Sequence, residues 1–459
     1  MFWDPTTAGR LLPVHPDFKV DRLRQIVSEA FRFALLASHP AQGVRQALER
    51  RWDVLSNLTV GIIAVGKAAV PMARAASDMI PRMVGGGLVV TKHGHGDWLP
   101  PGFVLLESGH PVPDSSSFRA GEAVLRALEN SEPPDLLLVL ISGGASSLVE
   151  VPMSGLSEDD LGNTTLCLLR AGADIHQLNT VRKHLSRLKG GGLLSQARSS
   201  RVLALLLSDV IDDDLSVIGS GLTSPDPSTF ADAWQVVTEF GLEDRIPEPV
   251  RLHLEAGRKG LRRETLKPGC EGIPVENVII GSGALARDSA ANQLRDRGIQ
   301  TLVLPTAVSG EAAQLAGHMS RSLSNSSGNG ASPLACVAFG ETVVNVRGSG
   351  RGGRNQEAVL AALEREAWRA WKTPFLFACL GTDGTDGPTD AAGAFMDSTS
   401  RDRALDLKLD AARFLLNNDS YTFFDDLGDL IRTGPTGTNV GDVTILLQGE
   451  ISSSSTRSK

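Results

Sequence analysis

The stretch VRGSGRGGRNQE, Val346 to Glu357, sets three arginines and four glycines ahead of a helix-like run that extends to about residue 371. Arginine's planar fork binds carboxylate and phosphoryl oxygens bidentately, and glycine lets a ligand come close to the backbone. Such a segment suits the handling of a small anion, with Arg347 and Arg354 as cations and Asn355 and Gln356 as polar contacts to a substrate. Glu341 ends the apolar run before it, and TVVNV reads as a short strand that delivers Arg347. Downstream, Asp383 and Asp386 lie on a glycine turn in GTDGTDGPTDAAG, and Asn439 and Asp442 lie on another in PTGTNVGDV.

The first half carries four comparable corners. VGIIAVGKAAV comes close to a P-loop pattern, but Ala68 has no hydroxyl for Mg²⁺ and the spacer Ile62 to Val65 is apolar strand, so the P-loop reading fails. What survives is a strand that delivers Lys67 to a helix start, where a lysine is unfavourable unless an anion lies nearby. LISGGASSL offers Ser142, Gly143, Gly144 and Ser146 as consecutive backbone and hydroxyl donors, a nest shaped for phosphate. It holds no G-x-S-x-G elbow, so a serine nucleophile is disfavoured. In DIHQLNTVRKHLSRLKGGGL a helical spacing puts Asn179, Arg182, Ser186 and Lys189 on one face, leading into Gly190 and Gly191. LSDVIDDDLSVIGSG follows a strand with Asp209 and Asp213, carboxylates suited to Mg²⁺, and then a second turn at Ser220 and Gly221.

These corners hold donors, cations and a few carboxylates, without metal-cysteine spacing, an aromatic ladder or a catalytic-histidine motif. Chemistry that needs mainly positioning and charge neutralisation is phosphoryl transfer. In that reading Lys67, Arg354 and Asp209 are catalytic, and Asp209 and Asp213 hold the metal. The cofactor lies against Ser142, Gly143, Gly144 and Ser146, against Lys189, Gly190, Gly191, Ser220 and Gly221, and against Glu341, Asp383 and Asn439. The substrate meets Asn179, Arg182, Arg347, Asn355 and Gln356. A NAD(P)H-dependent reductase is the alternative, resting on Gly281-Ser282-Gly283 after the strand NVII. The following strand, TLVLP, ends without an acid for the ribose, which weakens that alternative. A non-catalytic anion receptor would gain nothing from Asp209 and Asp383 unless they hold a metal.

The elements that must position these residues read as an α/β protein. Apolar runs at 60–65, 87–90, 103–107, 135–141 and 201–207 alternate with amphipathic segments, the signature of a parallel sheet. One such segment, DRLRQIVSEAFRFALLA, stripes Leu23, Ile26, Val27, Ala30, Phe31 and Ala34. A charged, aperiodic break at about 256–276 divides the chain into domains 1–268 and 269–459, as expected for 459 residues. The net charge of −8 gives no global field for nucleic acid or anionic membrane. Four separated cysteines, an N-terminus without a signal pattern and the absence of a bilayer-length apolar run favour a cytoplasmic protein.

GKAA, LISGGASSL, QLNTVRKHLSRLKGGGL, LSDV, PDPST, GETVVNVRGSGRGGRNQE, GTDGTDGPTDAAGA, NNDSYTFF and PTGTNVGDV resemble, in order, the motifs of the class II glycerate kinases. That family joins an N-terminal DUF4147 domain to a C-terminal MOFRL domain. The resemblance implies a Rossmann-like N-terminal domain with a parallel sheet, a smaller α/β C-terminal domain and an active site in the cleft between them. It also implies ATP-dependent phosphorylation of D-glycerate to 2-phosphoglycerate with Mg²⁺, Lys67 and Arg354 being the key cations. The expected partners are ATP and D-glycerate, with no nucleic acid or membrane and with homodimerisation left open. Ala145 and Leu222 depart from the family pattern, which has glycine and proline there. The first departure is expected to narrow the nest and the second to loosen a turn.

Overall fold

Apolar runs too short for buried helices become the strands of two sheets in the computed structural model, which describes residues 9–129, 132–326, 333–365 and 373–451. The first sheet contains β1 (Val60–Val65), β2 (Met83–Lys92), β3 (Phe103–Ser108), β4 (Leu136–Ile141), β5 (Arg201–Leu207) and β6 (Val275–Gly281). Its order is β3-β2-β1-β4-β5-β6, and β1 to β5 pair in parallel. β1 and β4 are buried along their whole length, as strands covered on both faces must be, which is why they read as unbroken apolar runs. On one face Val65, Val139 and Ile141 pack with Val124, Leu125 and Leu148 from helices. In this order the chain reverses direction across the sheet between β1 and β4, and ligands bind at such switch points beyond the carboxyl ends of strands.

The second sheet contains β7 (Gln300–Val303), β8 (Leu334–Gly340), β9 (Phe375–Gly381), β10 (Gly393–Asp397), β11 (Leu430–Ile431) and β12 (Asp442–Gln448), in the order β11-β10-β9-β12-β8-β7. β7 and β8 are parallel and the other pairs antiparallel. Asp442 stands opposite both Gly340 and Gly381, so the start of β12 meets the ends of β8 and β9 at one edge. The segment TVVNV, expected to be a strand, makes only an isolated bridge from Val343 to Glu311. The helix after RGGR is described over Arg354–Glu364, and residues 366–372, into which the sequence extended it, lie outside the described residues.

Contacts divide the chain into one unit of Pro40–Ile280 and a second formed by the residues up to His39 with those from Gly281 onward. The sequence reading instead kept the first segment with the N-terminal domain and set the boundary after residue 268. The physical reason is the striped helix Phe18–Ala37, capped by the Asp17 side chain, which buries Leu23, Ile26, Val27, Ala30, Phe31 and Ala34. Its neighbours are the helix Gly283–Asp296 and strands β9 and β12. From the same helix Arg24 donates to Asp397 at 2.6 and 2.8 Å, both residues being buried. No described helix is long and apolar enough to cross a membrane.

Candidate active site

At the switch point of the first sheet, β1 and β4 end in register at Val65 and Ile141, and the chain leaves through Gly66-Lys67 and Ser142-Gly143-Gly144. Two backbone bonds lock the corners together, Ser142 N–H to Val65 O and Lys67 N–H to Gly143 O, each 3.0 Å. The Ser142 hydroxyl accepts from Ala68 N–H at 3.0 Å, which starts the helix Ala69–Met79. Gly66 has φ +136°, and a side chain there would lie 2.6 Å from the Ser142 carbonyl oxygen, so only glycine fits. Gly144 has φ +87°, and among the described residues neither Gly143 nor Gly144 spends its N–H on a protein acceptor. A side chain at Gly143 would collide with the carboxylate of Asp209, so that acid borders the nest. Ala145 occupies the first position of the helix Ala145–Leu148 without a positive φ, so its methyl does not narrow the turn. Leu222 is fully buried, so packing fixes the turn that proline was expected to fix.

His110, which the sequence reading did not single out, belongs to this corner. A methyl group at Gly144 would lie 2.8 Å from His110 Cδ2, 3.1 Å from its Nε2 and 3.5 Å from Lys67 Cε. Burial lowers the His110 pKa to about 4, with help from Lys67, Lys92 and His95, so the imidazole is neutral. Only its place just past the end of β3 could have flagged it.

The neighbouring corner is a scaffold. The helix Ile175–Leu185 stops before Ser186, which is extended, so Lys189 does not continue the face of Asn179 and Arg182. Lys189 is fully buried in an ion pair with Glu150, and burial lowers its pKa to about 8 against that partner's pull. Gly190 N–H donates to Ser220 O at 3.0 Å and Gly191 N–H to Gly221 O at 2.7 Å. Ser220 N–H and Gly221 N–H are spent on Val217 O and Ile218 O. Gly190, Gly191, Ser220 and Gly221 therefore spend their N–H groups within the protein, and the buried Lys189 ammonium turns to Glu150 and to Val149 O, rather than to the open side of the nest where a cofactor was expected. They steady the nest indirectly: the Ser220 hydroxyl lies 2.6 Å from the Ser146 hydroxyl and donates to Asn179 Oδ1 at 2.8 Å. Arg182 donates to the Ser146 carbonyl at 3.0 Å, so Asn179 and Arg182 also hold protein groups. Asp213 has φ +53° and a buried, unpartnered Oδ1. Among the described residues no cluster of three or more histidine, cysteine or acidic side chains could cage a metal.

In the second unit, Arg354 opens its helix and grips Asp442 with both prongs, Nε to Oδ2 at 2.5 Å and Nη2 to Oδ1 at 3.0 Å. Its Nη1 donates to the half-exposed Glu341 at 2.8 Å. Burial works against the guanidinium charge, but Asp442, Glu341 and Asp386 overcome it and raise the pKa further. Burial raises the Asp386 pKa to about 6, although Asn355 N–H and Gln356 N–H donate to its two oxygens at 3.1 and 2.8 Å. A protein carboxylate thus caps this helix where a phosphate would sit. Asn355 and Gln356, expected to meet the substrate, are buried and bond Asp386 and Thr389.

The glycine-rich loop itself is also occupied. Asn418 Oδ1 accepts from the N–H groups of Arg347 and Gly348 at 2.7 and 2.9 Å. Asn417 Oδ1 takes Ser349 N–H at 3.2 Å, and Asp419 Oδ1 takes Arg351 N–H at 3.0 Å. Side chains at Gly348 or Gly350 would strike this segment, so the glycines serve close packing. Arg351 lies over the Tyr421 ring at 4.6 Å, while Arg347 is exposed. Asp383 accepts from Thr385 N–H at 2.9 Å and Asn439 from Gly441 N–H at 3.3 Å, both local turn bonds.

The Gly281-Ser282-Gly283 motif does not open a dinucleotide site. Such a site needs a strand, helix and strand in one parallel sheet, yet β6 lies in the first sheet and β7 in the second. A Cβ at Gly283 would come 2.8 Å from Val440 O, so this glycine lets helix and sheet approach.

Residues 26–255 match the family model described as a domain of unknown function, DUF4147, and residues 334–442 match the MOFRL family. The glycerate 2-kinase of Pyrococcus horikoshii is 38% identical over 393 residues, covering 84% of this chain and 87% of that protein. The D-glycerate 2-kinase of Thermotoga maritima is 37% identical over 433 residues, covering 93% of this chain and 99% of that protein. A crystal structure of glycerate kinase from Thermotoga maritima matches with a TM-score of 0.82 at 36% identity, over 93% of this chain and 99% of that one.

Proposed function

The chain belongs to the family of glycerate kinases that joins a DUF4147 domain to a MOFRL domain, and from that premise we propose that it transfers the γ-phosphoryl group of ATP to the 2-hydroxyl of D-glycerate, giving 2-phosphoglycerate. The observation that carries the reading is the switch-point corner, where Lys67 from the turn after β1 approaches the open N–H groups of Gly143 and Gly144 on the turn after β4. Fixed donors and one cation around a turn stabilise charge on a phosphoryl group without needing to rearrange during the reaction. We assign the phosphates to this corner of a Rossmann-like unit.

Mg²⁺ fits the residues present. It commonly takes one or two carboxylates and completes its shell with water and substrate phosphates, so no three-ligand cage is required. The exposed Asp209 beside Gly143 would hold it, and the orphaned Oδ1 of Asp213 is the second candidate oxygen. When bound, the ion would neutralise phosphate charge. Arg354 is assigned the same task in the second unit. Its exchangeable edge is the one facing Glu341, because Asp442 holds the other two nitrogens. A reducing, cytoplasmic setting belongs to the same reading, since all four cysteines are free thiols.

The test is ADP release measured with ATP and Mg²⁺ across D-glycerate, L-glycerate and tartronate, with the product read by phosphorus NMR. D-Glycerate-dependent ADP and a 2-phosphate resonance are the expected result. ADP formation indifferent to D-glycerate, or a 3-phosphate product, would overturn the assignment.

A further inference from the structure

We propose that His110 is the proton acceptor for the hydroxyl group that becomes phosphorylated, an inference that rests on the kinase reading above. β3 ends at Ser108, whose hydroxyl donates to Leu148 O at 2.8 Å, tying the loop's start to the helix that follows the nest. At its far end Asp114 caps the helix Ser115–Leu128 and pairs with His93 at 3.0 Å. Held at both ends, the loop turns the His110 ring onto Gly144, the glycine that Lys67 Cε also approaches. No hydrogen bond joins this ring to another described residue. An imidazole bonded to no other described residue, its one hydrogen bond being to its own backbone, therefore stands beside the donors assigned to the phosphates.

Two acceptors border the turn, Asp209 at Gly143 and His110 at Gly144. Both substrates are anions, so a carboxylate suits the metal, while an uncharged base adds no repulsion. The groups facing His110 are Lys67 from the β1 corner, Lys92 at the end of β2 and His95 just beyond it; with burial they keep the ring neutral. In the step, the hydroxyl proton passes to His110 Nε2 as the hydroxyl oxygen bonds the γ-phosphorus. The bond from that phosphorus to the β,γ-bridging oxygen breaks, ADP leaves with the electron pair, and the imidazolium later releases its proton to water.

The experiment compares the full-length wild type with His110→Gln and His110→Ala, using Mg²⁺-ATP and D-glycerate. General-base loss typically costs about 10²–10⁴ in kcat. The expected result is a fall in that range, KM for ATP within about threefold, an unchanged unfolding midpoint and at least a tenfold recovery of His110→Ala by added imidazole. The wild-type kcat/KM should fall at low pH with a limb that His110→Gln lacks. If the wild type turns over and His110→Gln stays within threefold of it, His110 is not the acceptor although the kinase reading stands. His110 is excluded in the same way if imidazole restores nothing and the acid limb persists in His110→Gln. A wild type with no glycerate-dependent turnover overturns both.

Discussion

Lys67 and Arg354 both stand out in the sequence as cations on glycine turns, but their surroundings differ. Lys67 approaches a turn with two open N–H donors, whereas Arg354 is already matched by Asp442 and Glu341. Lys67→Ala is expected to keep the fold and lower kcat by at least ~10³, measured by ADP release under saturating substrates. Asp442→Asn is expected to free two prongs of Arg354 and raise KM for at least one substrate by more than about fivefold; unchanged kinetics would place the Arg354–Asp442 pair outside the reaction.

Asp386 makes a separate prediction. Its folded pKa, raised to about 6, lies above the ordinary 3.8, so its contribution to stability is full below about pH 4 and is lost as pH rises through 6. The loss is on the order of 3 kcal/mol. Asp386→Asn should flatten the stability–pH curve between pH 4 and 6, as read from urea unfolding. The sequence showed Asp386 as an acid on a turn but not its partner helix, because the two meet only through the packing of distant segments. For the same reason it showed Lys189 as a cation on a glycine run and hid Glu150.

At the scale of elements, β1, β4 and β5 were legible because burial on both faces leaves an unbroken apolar run. TVVNV has the composition of a strand yet pairs little, since the Asn417 to Asp419 segment bonds the loop that follows it. The extension of the helix at 175–185 through Lys189 was a period match that its extended Ser186 breaks. The corner glycines are positioned by contact as well as by φ. Gly66→Ala meets the Ser142 backbone and should lower unfolding free energy by at least about 3 kcal/mol. Gly94→Ala, with φ +76° and open space around it, should lose only about 1–2 kcal/mol in the same urea titration.

At the scale of the whole molecule, the sequence showed two domains and placed their motifs, but the destination of the helix Phe18–Ala37 was not written in its stripe. An apolar stripe specifies that a face is covered, not by what. Arg24 supplies the specificity, donating to Asp397 with Asp429 3.6 Å away. Arg24→Ala leaves the buried Asp397 without its cation, while Asp429 keeps Arg403, and should cost about 3–5 kcal/mol. In hydrogen exchange, β9, β10 and β12 are expected to lose protection while β1 and β4 keep theirs. Equal loss in both sheets would contradict the division into units.

That helix also leaves the ribosome long before β9, β12 and the helix Gly283–Asp296 have been made. Until they emerge, Phe31, Leu23 and Ile26 have no permanent cover, while the intervening unit has all its strands and can settle first. Translation therefore creates a waiting period in which a nascent amphipathic segment is the natural handhold for chaperones, and slow codons across the last third of the message would prolong it.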